Sequence, residues 1–272
     1  MTAQMETRLT DIGLVGRHRD ASSTGLPPRE RYDGLKRVMF YLGFLKSRDA
    51  WVGLMSGTFL VLLTAAGAGR VVVIEDWTTD VVNRRGIPSG WTGEAFGQPA
   101  GYDFTIEQQA GRRVLHLESR NEHSTIARDI TGKVNLKETP ILEWSWKASI
   151  LPAGGDLRRK ETTDIAAQLY VVWPRFPELL RSRIIGYVWD ATTPVATVAK
   201  SQKTATVTFV VIRSGSEDLG KWLTERRNVA EDYAKIFGES PDDPKAISIS
   251  IDSNDTHSMA ESFMGPILFR AR

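Results

Sequence analysis

"ILEWSWKA", Ile141–Ala148, alternates without a break: Leu142, Trp144 and Trp146 fall on one side, Glu143, Ser145 and Lys147 on the other. Successive side chains of a strand point to opposite faces, so a period of two predicts a strand with one buried and one wet face. "TATVTFVVI" repeats the pattern, with Val207, Phe209 and Val211 opposite Thr204, Thr206 and Thr208. "AISISID" does so again, with Ile247, Ile249 and Ile251 opposite Ser248, Ser250 and Asp252. Outward from these, "RVVVIEDW", "YDFTIEQ", "RVLHLES", "DIAAQLYVVW", "RIIGYVWD" and "MGPILF" read as further strands, separated by turn residues such as Gly111, Pro140 and Gly154-Gly155. Many short one-sided strands without intervening helices predict a mainly β chain folded as an antiparallel β-sandwich, not a parallel α/β sheet. Residues 70–272 are expected to form one such domain.

One amphipathic helix is expected in the C-terminal half, over 221–237 in "KWLTERRNVAEDYAKIFG". Leu223, Val229, Tyr233, Ile236 and Phe237 approach helical spacing, Arg227–Glu231 and Glu231–Lys235 form i,i+4 charge pairs, and Gly238 supplies a stop. Arg226 and Arg227, about 100° apart on such a helix, do not make one anion clamp.

The N-terminal part reads differently. Residues 1–49 are polar and turn-rich and carry no apolar periodicity, so they are expected to be disordered or a mis-assigned extension. Residues 50–69 hold no charge and end in "TAAGAG", in which Ala66-Gly67-Ala68 is an A-x-A pattern. With "KSRD" before it, the segment is expected to be the apolar region of a cleaved export signal beginning near Met39; an uncleaved membrane anchor and a soluble core helix are the alternatives. The expected location is periplasmic or extracellular, or membrane-anchored through 50–69 with 70–272 outside the cytoplasm.

Formal net charge is +2, but it is uneven: 9 Lys+Arg against 6 Asp+Glu through Ala68, and 26 against 27 beyond it. The body therefore has no basic excess of the kind that favours nucleic acid. With 0 cysteines, disulfides, thiolate metal sites and a cysteine nucleophile are excluded. No nucleophile elbow, phosphate-binding loop, dinucleotide fingerprint or HExxH helix is present, so no catalytic residue is assigned.

Candidate binding residues come from strands and loops. Asp164, Gln168 and Tyr170 share one side of "DIAAQLYVVW", where a solvated face would line up an acceptor, an amide and a ring. Trp189-Asp190 closes a strand, and an indole beside a carboxylate at a sandwich rim suits a sugar's apolar face and its hydroxyls. Trp144 and Trp146 read as core. His116, between Leu115 and Leu117, falls on a wet face as a surface histidine. In "DSNDTH", Asp252, Asn254, Asp255 and Thr256 offer several oxygens in one loop, as Ca²⁺ requires, although the same residues are ordinary turn formers.

"ETPILEWSWKAS", "ETTDIAAQLYVVW", "GYVWD", "ERRNVAEDYAKIFGESP" and "ISISIDSNDTHSMAESFMGPILF", in that order, resemble the bacterial domain-of-unknown-function family 3047, from about residue 74 to the C-terminus. The resemblance implies an exported sandwich related in layout to galactose-binding-like jelly rolls and family 11 carbohydrate-binding modules, with no established activity. It also implies Asp164, Asp232, Asp252 and Thr256 as candidate site positions. Where this chain has Gln168 the family pattern commonly has an arginine, which argues against an anionic ligand on that strand.

Three functions remain open at this point. The leading one is an exported, non-catalytic sandwich that binds a glycan or cell-envelope ligand, with Ca²⁺ as an optional cofactor. The second is an envelope assembly or scaffolding protein using the helix and exposed edge strands. The third is a glycan hydrolase or lyase built on a carboxylate pair such as Asp164 with Asp252.

Overall fold

The computed structural model describes residues 69–93 and 102–272. The expected extension 1–49 and, apart from Gly69, the apolar segment 50–69 lie outside the described residues. Among the described residues no helix is long and apolar enough to cross a membrane. The strands are β1 (Val71–Glu75), β2 (Thr92–Gly93), β3 (Phe104–Gln109), β4 (Arg112–Arg120), β5 (His123–Asp129), β6 (Ile141–Ile150), β7 (Ala167–Trp173), β8 (Arg183–Asp190), β9 (Val198–Lys200), β10 (Val207–Ser214), β11 (Leu223–Asn228), β12 (Ala246–Asp252) and β13 (Met259–Arg270). A four-residue helix α1 (Glu178–Arg181) follows β7, and α2 (Val229–Phe237) follows β11.

Two sheets result. One runs β11-β6-β13-β4-β3, with β1 also on β13; the other runs β2-β5-β12-β7-β8-β10-β9. β13 changes partner along its length: Met259–Met264 pairs with β4, and Ile267–Arg270 with β1. The break falls at Gly265-Pro266, where proline has no N–H for a ladder. A Cβ at 265 would lie 2.1 Å from Ser145 Oγ, so any other residue there would have to turn that hydroxyl away. The Trp77 indole donates to the Gly265 carbonyl (2.9 Å), satisfying the group that the break leaves over.

Between the sheets, the alternating positions meet as expected. Leu142, Trp144 and Trp146 of β6 face Leu169, Val171 and Trp173 of β7, with Ile247, Ile249 and Ile251 of β12 beside them, all buried. Trp144 stacks on Tyr187 (5.3 Å, 26°) and meets Trp146 edge-on (5.3 Å, 89°), the offset and T-shaped arrangements that aromatic quadrupoles favour.

Three expectations are corrected. First, the pairing is antiparallel except between β8 and β10, which are parallel. A parallel neighbour needs a crossover of a dozen or more residues; residues 191–206 supply it and include β9, the antiparallel partner at the edge of β10. Second, β7 and β12 are buried along their whole length, so the seven-stranded sheet has no wet face there. Its outer side carries a second apolar cluster of Tyr170, Val172, Ile184, Val188 and Phe209, roofed by Leu157, Ile165 and Ala199. Val207, Phe209 and Val211 point into this outer cluster, not between the sheets. Third, the helix expected over 221–237 exists only as Val229–Phe237; Leu223–Asn228 is an edge strand on β6. Pairing satisfies the backbone of β6, which would otherwise be a bare edge, and it turns Glu225 inward to accept from Trp146 Nε1 (3.2 Å) and Arg213 Nε (2.7 Å). Asn228 starts the helix, its side chain accepting from the Glu231 N–H (3.2 Å) and donating to the Glu231 carboxylate (2.7 Å), a reciprocal cap. Arg227 therefore pairs with Asp232, not Glu231. Gly238 ends the helix in the left-handed region, as its position suggested.

Candidate functional site

The residues singled out in the sequence divide into internal clamps. Asp164 is fully buried; its carboxylate accepts from the N–H groups of Asp255 (3.1 Å) and Thr256 (2.6 Å) and from the Thr256 hydroxyl (2.6 Å). It thus holds the "DSNDTH" loop. Asp252 accepts from Ile165 N–H (2.5 Å) and Gln168 Nε2 (3.1 Å), and Tyr170 donates to Gln168 Oε1, so Asp252, Gln168 and Tyr170 form one buried chain. Burial pushes the Asp252 carboxyl up, against the opposing pull of His123. It pushes the Tyr170 hydroxyl well up too, with the Asp252 charge adding to the effect.

In that loop, the Asp255 carboxylate pairs with Lys203, and the Thr256 hydroxyl also shares a bond with Ser258 (2.7 Å). A calcium ion would compete with the Lys203 ammonium and with these donors. Asn254 is half-buried in the same loop.

Trp189 and Asp190 point to opposite sides of β8, and both are buried. The indole lies in the main core near Trp146 (6.1 Å) and donates to Gly215 O (3.1 Å). Asp190 accepts from the N–H groups of Leu157 (3.0 Å), Thr192 (2.8 Å) and Thr193 (2.6 Å); burial raises its pKa and these bonds oppose the rise. Asp232 takes a bidentate pair from Arg227 (2.9 and 2.6 Å) and a bond from Tyr187 (2.9 Å), tying α2 to β8 and β11. None of these positions presents an exposed ring or an open carboxylate.

A different face does. On the outer side of the six-stranded sheet, register places Lys147, Phe263, His116 and Thr105 in one row across β6, β13, β4 and β3. Trp222, just before β11, extends the row beyond Lys147. His116 stacks on Phe263 (4.3 Å, 6°), and the Lys147 ammonium lies 3.9 Å from the same ring. Trp222 is half-buried; the Arg112 guanidinium lies 4.4 Å over its indole, and Phe263 meets it edge-on at 6.3 Å.

The polar groups form a continuous chain. Lys147 Nζ donates to Gln109 Oε1 (2.8 Å), and Gln109 Nε2 donates to Glu107 Oε2 (2.8 Å). Glu107 Oε1 lies 2.9 Å from His116 Nδ1, and His116 Nε2 lies 2.8 Å from Glu261 Oε1. Glu118 sits directly opposite Glu261 in the register. Two buried polar atoms on this same side, Arg112 Nε and Ser145 Oγ, have no hydrogen-bond partner among the described residues. One end of the face thus offers an indole among cations and an amide, the other a histidine among three carboxylates.

Of this set the sequence places His116 and Lys147 on outward faces of their strands and singles out no other member. Trp222 was absorbed into the expected helix, and its neighbours come from strands far apart in the chain. The signal available was the "NVAE" cap at Asn228, which moves the helix start past Trp222.

No curated protein is similar to the chain in sequence. Solved structures of similar layout include the K2 cleaved adhesin domain of Lys-gingipain, at 10% identity, covering 74% of this chain and 99% of that one, TM-score 0.37. Another is the CBM22-1 xylan-binding domain of Xyn10C from Paenibacillus barcinonensis (13% identity, 76% and 99%, TM-score 0.36). A third is the family 11 carbohydrate-binding module from Clostridium thermocellum in complex with a β-1,3-1,4-mixed-linked tetrasaccharide (9% identity, 75% and 96%, TM-score 0.37). Sequence carries the closer relation: the model of the family described as "Protein of unknown function (DUF3047)" matches residues 89–268, and the chain belongs to that family.

Proposed function

We propose that the chain is an exported, non-catalytic β-sandwich that binds a glycan of the cell envelope or its surroundings. In this reading the layout is that of a galactose-binding-like jelly roll, and the binding face is the outer side of the six-stranded sheet. The observation that carries it is the half-buried Trp222 indole flanked by Arg112 and Lys147, with the Gln109 amide bonded to Lys147. A sugar ring has apolar C–H faces that stack on an indole and hydroxyls that need both donors and acceptors, and this end of the face holds both. Export rests on the uncharged run 50–69 with its A-x-A ending.

Affinity electrophoresis of the full chain through a panel of envelope and plant polysaccharides tests the proposal. Retardation by one polysaccharide class, lost in Trp222→Ala, is the expected result. Migration unaffected by every polysaccharide, or retardation that Trp222→Ala leaves unchanged, overturns it. The assembly reading draws on a separate place, the loop after β7, where Phe176 (86% exposed) and Leu180 (77%) stand in solvent.

A further inference from the structure

We propose that His116, Glu118 and Glu261 bind one divalent transition-metal cation of the zinc or manganese class, with Glu107 orienting the histidine. The inference takes nothing from the carbohydrate reading, and its test needs no sugar.

The topology assembles the ligands. His116 and Glu118 are two residues apart on β4, so both point outward, and β13 sets Glu261 directly across from Glu118. One ligand atom from each lies within 4.8 Å of the others. Like charges directly opposite on neighbouring strands repel, and Glu107 from β3 adds a third carboxylate to the same patch. Of the cations nearby, Lys147 is held by Gln109 and the Phe263 ring, and Arg120 pairs with Glu118 at 3.2 Å from an exposed position, a solvent-screened bond that a metal ion would displace.

The histidine distinguishes the group from a patch of carboxylates. Both ring nitrogens face carboxylate oxygens, Nδ1 at 2.9 Å from Glu107 and Nε2 at 2.8 Å from Glu261. Carboxylates only accept, and a neutral imidazole donates from one nitrogen. Glu107, itself fixed by Gln109 (2.8 Å), takes the Nδ1 proton. Nε2 then turns a lone pair toward the Glu261 lone pair, and a cation shared between them, a metal ion or a proton, satisfies both. A carboxylate on the far nitrogen is the usual partner of a metal-bound histidine, fixing its tautomer and raising its basicity. Stacking on Phe263 holds the ring in place, while the histidine side chain keeps 14% exposure and Glu118 36%, enough for entry and for water in the remaining positions.

Donor chemistry sets the class. One imidazole and two carboxylates with open positions suit Zn²⁺, Mn²⁺ or Co²⁺, whereas Ca²⁺ and Mg²⁺ take oxygen ligands. The alternative to a metal is a proton on Nε2, which would neutralise one of three carboxylates.

The full chain, stripped with EDTA and dialysed, is titrated calorimetrically with Zn²⁺ and Mn²⁺, with Ca²⁺ and Mg²⁺ as controls and Co²⁺ as a visible-absorbance probe. One equivalent of Zn²⁺ or Mn²⁺ is expected to bind and raise the melting temperature, and Co²⁺ to give a protein-dependent band. Glu118→Gln and Glu261→Gln should abolish binding; Glu107→Gln should weaken it about 10- to 100-fold. Melts of the metal-free variants separate lost binding from lost folding, and Glu118→Gln, the most exposed of the three changes, decides if another does not fold. Absence of stoichiometric binding overturns the site, as does affinity unchanged in Glu118→Gln. A preference for Ca²⁺ or Mg²⁺ overturns the class.

Discussion

On the seven-stranded sheet, the side turned away from the main core is roofed: Leu157 and Ile165 come down from the 151–166 segment and Ala199 from β9, closing over Tyr170 and Phe209. On the six-stranded sheet, the corresponding side carries the half-buried groups Trp222, Lys147, His116 and Glu107. Polar residues occur on both sides, but they do different things. Under the roof, Asp164, Asp190 and Asp252 are each bound by backbone N–H groups of loops that return over the sheet. A buried carboxylate must be satisfied internally or its desolvation cost stands, so these aspartates became loop anchors. On the unroofed side, side chains bond to one another across strands, and Arg112 Nε and Ser145 Oγ have no hydrogen-bond partner among the described residues. Whether an outer face is structural or available to a ligand is decided by where the connections return, not by the strands themselves.

The largest effect should come from emptying the roofed side. Phe209 is 2% exposed and packs at 6.3 Å from Tyr170, with both rings closing over Gly186, where a Cβ would lie 2.7 Å from Tyr170 Cε1. Phe209→Ala removes a buried ring and leaves a cavity, which costs about 3–5 kcal/mol. Urea unfolding of the full chain measures it. A loss near 1 kcal/mol would mean that the roof collapses onto the gap or that the face is wet.

That closure is also the part of the fold hardest to read in the sequence. Strands β6 and β12 are legible because their alternation is unbroken and turn residues bound them. "HSTIARD", which forms β5, is not, because Ser124, Thr125, Ile126 and Ala127 mix polar and apolar residues on the two sides of a strand flanked by β2 and β12. Alternation gives two sides to a strand but no sign: Val207, Phe209 and Val211 are correctly grouped and point the other way from the main core. The segment "LTERRN" is rich in helix formers, yet the bare edge of β6 recruits it as a strand, a tertiary demand that overrides local propensity. The candidate site suffers from the same limit. Glu107, His116, Lys147, Trp222 and Glu261 become neighbours only through the order β11-β6-β13-β4-β3, which no local pattern specifies.

A smaller effect, read against pH, sharpens the comparison. Burial raises the Asp252 pKa above its ordinary 3.8. Between that value and the raised one, the folded chain binds more protons than the unfolded chain, so stability falls as pH rises through the window and returns as pH drops toward 3.8. Asp252→Asn keeps an oxygen for the Ile165 N–H and removes the titration. The wild type should therefore gain on the variant as pH falls from 7 toward 4, by up to about 1.4 kcal/mol per pH unit inside the window. Asp190, raised in the same direction, is present in both proteins and cancels. A difference that stays flat with pH would show a solvated carboxylate and undo the contrast between the two faces.

The smallest effect belongs to the unroofed side. Trp222 is held by Arg112 at 4.4 Å, Lys147 at 5.5 Å and the edge of Phe263 at 6.3 Å, without a roof of apolar side chains. Cation–π contacts at such partly exposed sites contribute about 0.5–1 kcal/mol, so Trp222→Ala should lower stability by about 1 kcal/mol while removing the indole this face presents among the described residues. A ring that fills a core and a ring that waits for a ligand differ in this way: deleting the first costs several kcal/mol of stability, and deleting the second leaves the fold nearly as stable and silent. If Trp222→Ala costs as much as Phe209→Ala, the indole is a structural plug, and the carbohydrate reading loses its anchor.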